Sequence, residues 1–157
     1  KYMSLKREHY SFNVDNKKIL DIGGGPSSML LKCTNLTYGK VIDPIAYPYW
    51  TVMRYGIKNI DVLVQRGEEA VDEKNFDEVW IYNCLQHTDD PHKIIQNAKK
   101  SAKILRIFEW VDIPPHDGHP IQLTKEYLDD CIGSEGNTVQ LAEQGCFGKA
   151  YYGVFNT

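Results

Sequence analysis

The 157-residue chain is 42% hydrophobic and 25% charged, enough apolar material for one compact core, and it is expected to form a single domain over 1–157. A formal charge of -3 gives no general attraction to nucleic acid or to an anionic membrane. The four cysteines, Cys33, Cys84, Cys131 and Cys146, are scattered without zinc or disulfide spacing, which points to a reducing compartment and no metal centre. No apolar run reaches the roughly 18 residues that span a bilayer, and Lys1 to Tyr10 lacks a secretory signal, so a cytoplasmic location is expected. A first residue of Lys rather than Met fits a trimmed N-terminus.

In chain order, Lys18 to Ile22 reads as a buried strand running into Gly23-Gly24-Gly25-Pro26, and Pro26-Ser27-Ser28 opens a short helix. Lys40 to Asp43 predicts a second strand, Pro48 to Tyr55 a helix closed by Gly56, and Ile60 to Gln65 a third strand. Asp77 to Asn83 predicts the fourth. Pro91 starts a helix through Ser101, and Lys103 to Trp110 is a fifth strand. Asp112 to Pro120, with three prolines and two histidines, reads as an ordered loop before a helix capped by Thr124 and ending before Gly133. Strands near Thr138 to Glu143 and Lys149 to Phe155, joined by a turn around Gly145 to Gly148, would pair antiparallel. This alternation predicts an α/β fold, a mostly parallel sheet with helices on both faces and ligands at the C-terminal strand ends.

The chemistry concentrates at those ends. Gly23, Gly24 and Gly25 let a ligand approach the backbone, and Asp43, about 20 residues on, can accept hydrogen bonds from both hydroxyls of a ribose. That pairing suits a nucleoside ligand without separating nicotinamide dinucleotides from S-adenosylmethionine. His87 follows the fourth strand and is a candidate general base, with a structural role at the strand exit as the alternative. His116 and His119 lie in the loop after the fifth strand and are too sparse for a defined metal set. Tyr47, Tyr49 and Trp50 are read as pocket or packing aromatics.

Five ordered segments resemble the class I S-adenosylmethionine-dependent methyltransferases: Ile19-Leu20-Asp21-Ile22-Gly23-Gly24-Gly25, Val41-Ile42-Asp43-Pro44, Arg66-Gly67-Glu68-Glu69, Asn75 to Val79, and Asn83 to Pro91. The resemblance covers about Lys17 to Gly133; Ser27 stands in place of the family's third glycine and Glu68 in place of its common Asp. It implies a Rossmann-like seven-stranded sheet in the order 3-2-1-4-5-7-6 and S-adenosyl-L-methionine as cofactor, released as S-adenosyl-L-homocysteine. By the same resemblance Asp21 orients the methionine amino group, Gly23 and Gly25 line the cofactor and Asp43 holds the ribose. Pro44 packs on adenine, Glu68 and the adjoining Glu69 lie near its amino group, and Asn83 with Leu85 lie near the methionine and the methyl. His116 and His119 would contact a small-molecule acceptor. The competing readings are a cofactor-binding module without activity and a nicotinamide-dependent oxidoreductase; the oligomeric state stays open.

Overall fold

The computed structural model describes residues 10–69, 75–141 and 148–157. Seven strands, β1 (Phe12–Ile22), β2 (Cys33–Asp43), β3 (Ile60–Val64), β4 (Phe76–Tyr82), β5 (Ala102–Val111), β6 (Asn137–Gln140) and β7 (Lys149–Asn156), form one sheet. Its order is β3-β2-β1-β4-β5-β7-β6, with β7 antiparallel to both neighbours and the first five strands parallel. The antiparallel β7 inserted beside β5 departs from the 3-2-1-4-5-6 order of dinucleotide-binding sheets. Because β2 and β3 lie on one side of β1, and β4 and β5 on the other, the chain reverses its direction of travel between β1 and β4. Open α/β sheets place ligands at such a switch point.

Helices α1 (Tyr49–Gly56), α2 (Pro91–Ser101) and α3 (Lys125–Ile132) follow β2, β4 and β5. The Asp90 carboxylate accepts from Lys93 N–H to start α2, and Thr124 Oγ1 accepts from Tyr127 N–H to start α3. Gly133, left-handed at φ 77, ends α3 as its sequence position predicts. The core is split by the sheet. Leu20, Ile22, Ile81, Ile94, Leu105 and Leu128 pack under α2 and α3, whereas Val14, Ile19, Leu30, Val41, Tyr55 and Trp80 form the cluster under α1.

Two expectations are revised, and a third lies partly outside the described residues. The first two strands each begin several residues earlier than their apolar bursts. The opening half of β1, Phe12-Asn13-Val14-Asp15-Asn16-Lys17, is mostly polar, and Asp15 and Asn16 are left-handed at φ 52 and 60, where the pairing with β2 slips. The helix after Pro26 is instead two short 3-10 turns, Gly25–Ser27 and Met29–Lys32, because Ser28 breaks the run with extended backbone while its hydroxyl accepts from Leu30 N–H. The end of the predicted sixth strand, at Glu143, and the turn at Gly145 lie outside the described residues.

Candidate active site

A cavity of about 570 Å³ opens at the C-terminal ends of β1, β2 and β4, at the switch point. Ile22 and Gly23 line it from β1, Ile42, Asp43, Pro44 and Ile45 from β2, Arg66, Gly67 and Glu68 from the stretch after β3, and Asn83, Cys84, His87, Thr88 and Asp89 from the exit of β4. Ile94 of α2 completes it. Its volume falls in the range of about 300 to 1,000 Å³ typical of small-molecule sites.

The glycine turn is shaped by backbone need. Gly23 is left-handed at φ 74, donates its N–H to Ile42 O at 2.7 Å, and a Cβ there would stand 2.4 Å from Cys84 Cβ. Gly25, at φ 64, faces open space and donates to Asp43 Oδ2 at 3.2 Å. The other Asp43 oxygen accepts from Ile45 N–H at 2.9 Å. Each carboxylate oxygen takes one backbone donor and the Tyr47 side chain adds a further hydrogen bond to the group, which leaves some acceptor capacity, since a carboxylate offers about four lone-pair sites. Burial and the Asp43 carboxylate push the phenol of nearby Tyr47 up.

Asp21 does not line the cavity. Its side chain points to the α1 face, under Gly24, where Oδ2 accepts from Ser28 Oγ at 2.5 Å and Oδ1 is buried with no hydrogen-bond partner among the described residues. Burial, opposed by the Ser28 hydroxyl and reinforced by Asp43, lifts this carboxyl to about 7. Tyr55, not singled out in the sequence, braces the same turn: its hydroxyl donates to Gly25 O at 2.5 Å and accepts from Ser28 N–H at 2.9 Å. A lone Tyr at the end of a helical pattern carries no signal for that role.

Glu68 lines the cavity, but its Oε1 also accepts from Asp89 N–H at 3.1 Å and Asp90 N–H at 3.4 Å and pairs with Arg66 at 3.4 Å. Burial would raise this carboxyl, yet those donors hold it below the usual carboxylate range. Glu69 is exposed and outside the lining; its N–H closes a turn on Arg66 O at 3.1 Å. Pro44 and Ile45 are exposed at the rim.

At the β4 exit Asn83 is left-handed at φ 57 and its side-chain oxygen accepts from Gln86 Nε2 at 2.8 Å. Leu85 is fully buried in the core below and does not line the cavity. Both Cys84 N–H and Leu85 N–H donate to Glu109 Oε1, at 2.9 and 3.0 Å, while Oε2 has no hydrogen-bond partner among the described residues. Burial drives this carboxyl up to about 8 against the pull of the two N–H donors. A carboxylate inside the apolar run Ile107-Phe108-Glu109-Trp110-Val111 is the signal that could have found it.

His87 joins the cavity to the loop after β5. His116 and His119 form a two-residue hairpin around Asp117-Gly118, with backbone bonds of 3.1 and 2.8 Å between them, which sets their rings side by side at 4.3 Å. The His87 ring meets His119 edge-on at 4.3 Å, and its Nδ1 lies 2.5 Å from Gly118 O. A carbonyl only accepts, so Nδ1 carries the proton and Nε2 is left as the acceptor. Burial and the neighbouring imidazoles hold His119 below its ordinary value. Among the described residues no group of three His, Cys, Asp or Glu could hold a metal ion, and no helix is long and apolar enough to cross a membrane. Tyr49 and Trp50 point into solvent, 78% and 62% exposed, outside the cavity.

No family model matches the sequence, and no curated protein matches it. Solved structures do match its backbone. The 1,6-didemethyltoxoflavin-N1-methyltransferase of Burkholderia thailandensis, solved with 1,6-didemethyltoxoflavin and S-adenosylhomocysteine, superposes with a TM-score of 0.66 at 14% identity, covering 90% of this chain and 72% of that one. The chain has the class I methyltransferase fold. A SAM-dependent methyltransferase from Aquifex aeolicus agrees at TM-score 0.58 and 17% identity, over 89% of this chain and 82% of its own. The [4+2]-cyclase SpnF superposes at 0.61 and 17% identity, over 79% and 54%.

Proposed function

We propose that this methyltransferase-fold chain binds S-adenosylmethionine in the switch-point cavity and directs its methyl group to a small-molecule acceptor. The observation that carries the reading is the pairing of Gly23 and Asp43 across one cavity, a side-chain-free turn facing a carboxylate with acceptor capacity to spare. The residues fit the cofactor: Asp43 takes the ribose hydroxyls, Pro44 and Ile45 flank the adenine, and Asn83 and Cys84 border the methionine end. Glu68 lies toward the adenine and stays tied to the start of α2, whereas Asp21 and Leu85 act from beneath, one bracing the glycine turn and the other packing the β4 exit. Glu69 contributes no wall. The bound cofactor supplies the activated methyl, so the protein's part is alignment and exclusion of water.

The acceptor side is formed by His87, His116 and His119. With Nδ1 engaged by Gly118 O, His87 presents Nε2 to take a proton from an acceptor hydroxyl or amine, and the paired hairpin histidines hydrogen-bond the acceptor's polar groups. The neighbour named for methylating 1,6-didemethyltoxoflavin supports a small-molecule acceptor. The fold alone does not choose the reaction, and the cyclase neighbour favours a second reading in which the cavity binds the cofactor without methyl transfer. Titration calorimetry with S-adenosylhomocysteine and with NAD tests the cofactor: binding of the first alone supports the proposal, and binding of NAD alone refutes it. Methyl transfer by the isolated chain to any small acceptor separates enzyme from binding module.

A further inference from the structure

Tyr49 and Trp50 are left outside the cavity, and they belong to a larger apolar surface. On α1 and at its C-cap, Tyr49, Trp50, Met53 and Ile57 are 78%, 62%, 48% and 80% exposed, and Arg54 is the helix's one charged residue. α1 packs on β3, and β3 is one of the sheet's two edge strands. Its sequence, Ile60-Asp61-Val62-Leu63-Val64, has no Pro or Lys, the usual protections of a free edge. Leu63 and Val64 are 37% and 55% exposed.

The edge has a definite polarity. Gly39 N–H bonds Asn59 O and Gln65 N–H bonds Asp43 O, at the two ends of the β2–β3 ladder. Backbone groups alternate along a strand, so residues 59, 61, 63 and 65 turn theirs toward β2. Ile60, Val62 and Val64 therefore turn their N–H and C=O groups outward, where β3 has no second neighbour among the described residues.

We propose that this edge pairs with β3 of a second copy of the chain, antiparallel about a two-fold axis at Val62. The axis sets Val62 opposite Val62 and Ile60 opposite Val64, and all are residues whose backbone groups face outward, so each opposed pair exchanges both hydrogen bonds. Asp61 falls opposite Leu63, so the strand's single charge never meets itself. Such a pairing is isologous and closed. An axis perpendicular to the sheet keeps both copies of α1 on the same face, where Trp50, Met53 and Ile57 of one helix meet those of the other. Together with Tyr49 and the strand edge, these side chains at their exposures offer on the order of 600 Å² per copy, the lower bound of a stable interface. Tyr152 and Val154 are exposed on β7, which is paired on both sides by β5 and β6 and so offers no free backbone edge of its own.

Sedimentation equilibrium from about 1 to 100 μM tests the pairing, a span that brackets micromolar affinity. The proposal expects a dimer, with Met53→Glu and Val64→Lys each raising its dissociation constant by about tenfold or more, their circular dichroism unchanged, and Tyr152→Lys without effect. Hydrogen exchange on the wild type supplies a measure free of mutation: the amides of Ile60, Val62 and Val64 should gain protection as concentration rises. A monomer throughout, a dimer broken by Tyr152→Lys alone, or concentration-independent exchange at those three amides overturns the proposal. Calorimetry with S-adenosylhomocysteine is read separately, so failure of the dimer leaves the cofactor reading standing.

Discussion

Replacing Glu109 with Gln isolates what a buried carboxyl beneath the active site does to stability. The amide oxygen keeps both hydrogen bonds, from Cys84 N–H and Leu85 N–H, and only the ionisation is lost. In the native chain burial lifts this carboxyl from 4.5 to about 8, so between those values the folded protein holds a proton that the unfolded chain has released. Wild-type stability therefore falls as pH rises through that window. At about 1.4 kcal/mol per pH unit the ceiling is about 5 kcal/mol, and relaxation around an ionised Glu109 will reduce it. The new amide N–H₂ sits where Oε2 has no partner among the described residues, at a cost of about 1 to 3 kcal/mol that does not vary with pH. Urea denaturation of both proteins from about pH 5 to pH 8.5, compared as a difference, cancels every other titrating group including Asp21. The variant should gain on the wild type by a few kcal/mol across the series; two parallel curves would refute a buried, proton-holding Glu109.

Four further outcomes follow from the same geometry. Glu78 shows the opposite sign: burial would raise it, but hydrogen bonds from Arg106, Lys17 and Trp80 hold it down at about 2, so Glu78→Gln should flatten the loss of stability below about pH 4.5 in acid denaturation. Gly23→Ala meets both a left-handed φ and a 2.4 Å approach to Cys84, and should lower the melting temperature and abolish S-adenosylhomocysteine binding; normal binding in calorimetry would move the glycine turn out of the site. Thr124→Ala removes the cap of α3 and should cost about 1 kcal/mol in chemical denaturation, with cofactor affinity unchanged. His87→Ala should cut turnover about a hundredfold or more while leaving S-adenosylhomocysteine affinity within a few-fold, and wild-type turnover would remove His87 from the chemistry.

Most of the sheet was legible because buried strands announce themselves as apolar bursts, and Pro91, Thr124 and Gly133 mark helix ends by fixed backbone preferences. The opening halves of β1 and β2 were not, since polar residues such as Asn13, Asp15 and Asn35 hide a strand that bulges through left-handed positions. The glycine turn and Asp43 were readable by spacing. Their partners were not: Asp21 points away from the cavity, and Glu68 is tied to the start of α2 by contacts spanning 21 and 22 residues. The meeting of His87 with His119 depends on a hairpin and on the order of β4 and β5, which no local pattern encodes.

The central claim is that the cavity between Gly23 and Asp43 holds S-adenosylmethionine, and calorimetry with S-adenosylhomocysteine on the wild type and on Asp43→Ala tests it most directly. The wild type should bind, and the folded variant should bind about tenfold to a hundredfold more weakly, the loss of hydrogen bonds to a charged group being worth about 1.5 to 3 kcal/mol. Equal affinity in the two folded proteins, or no binding by the wild type, would contradict it.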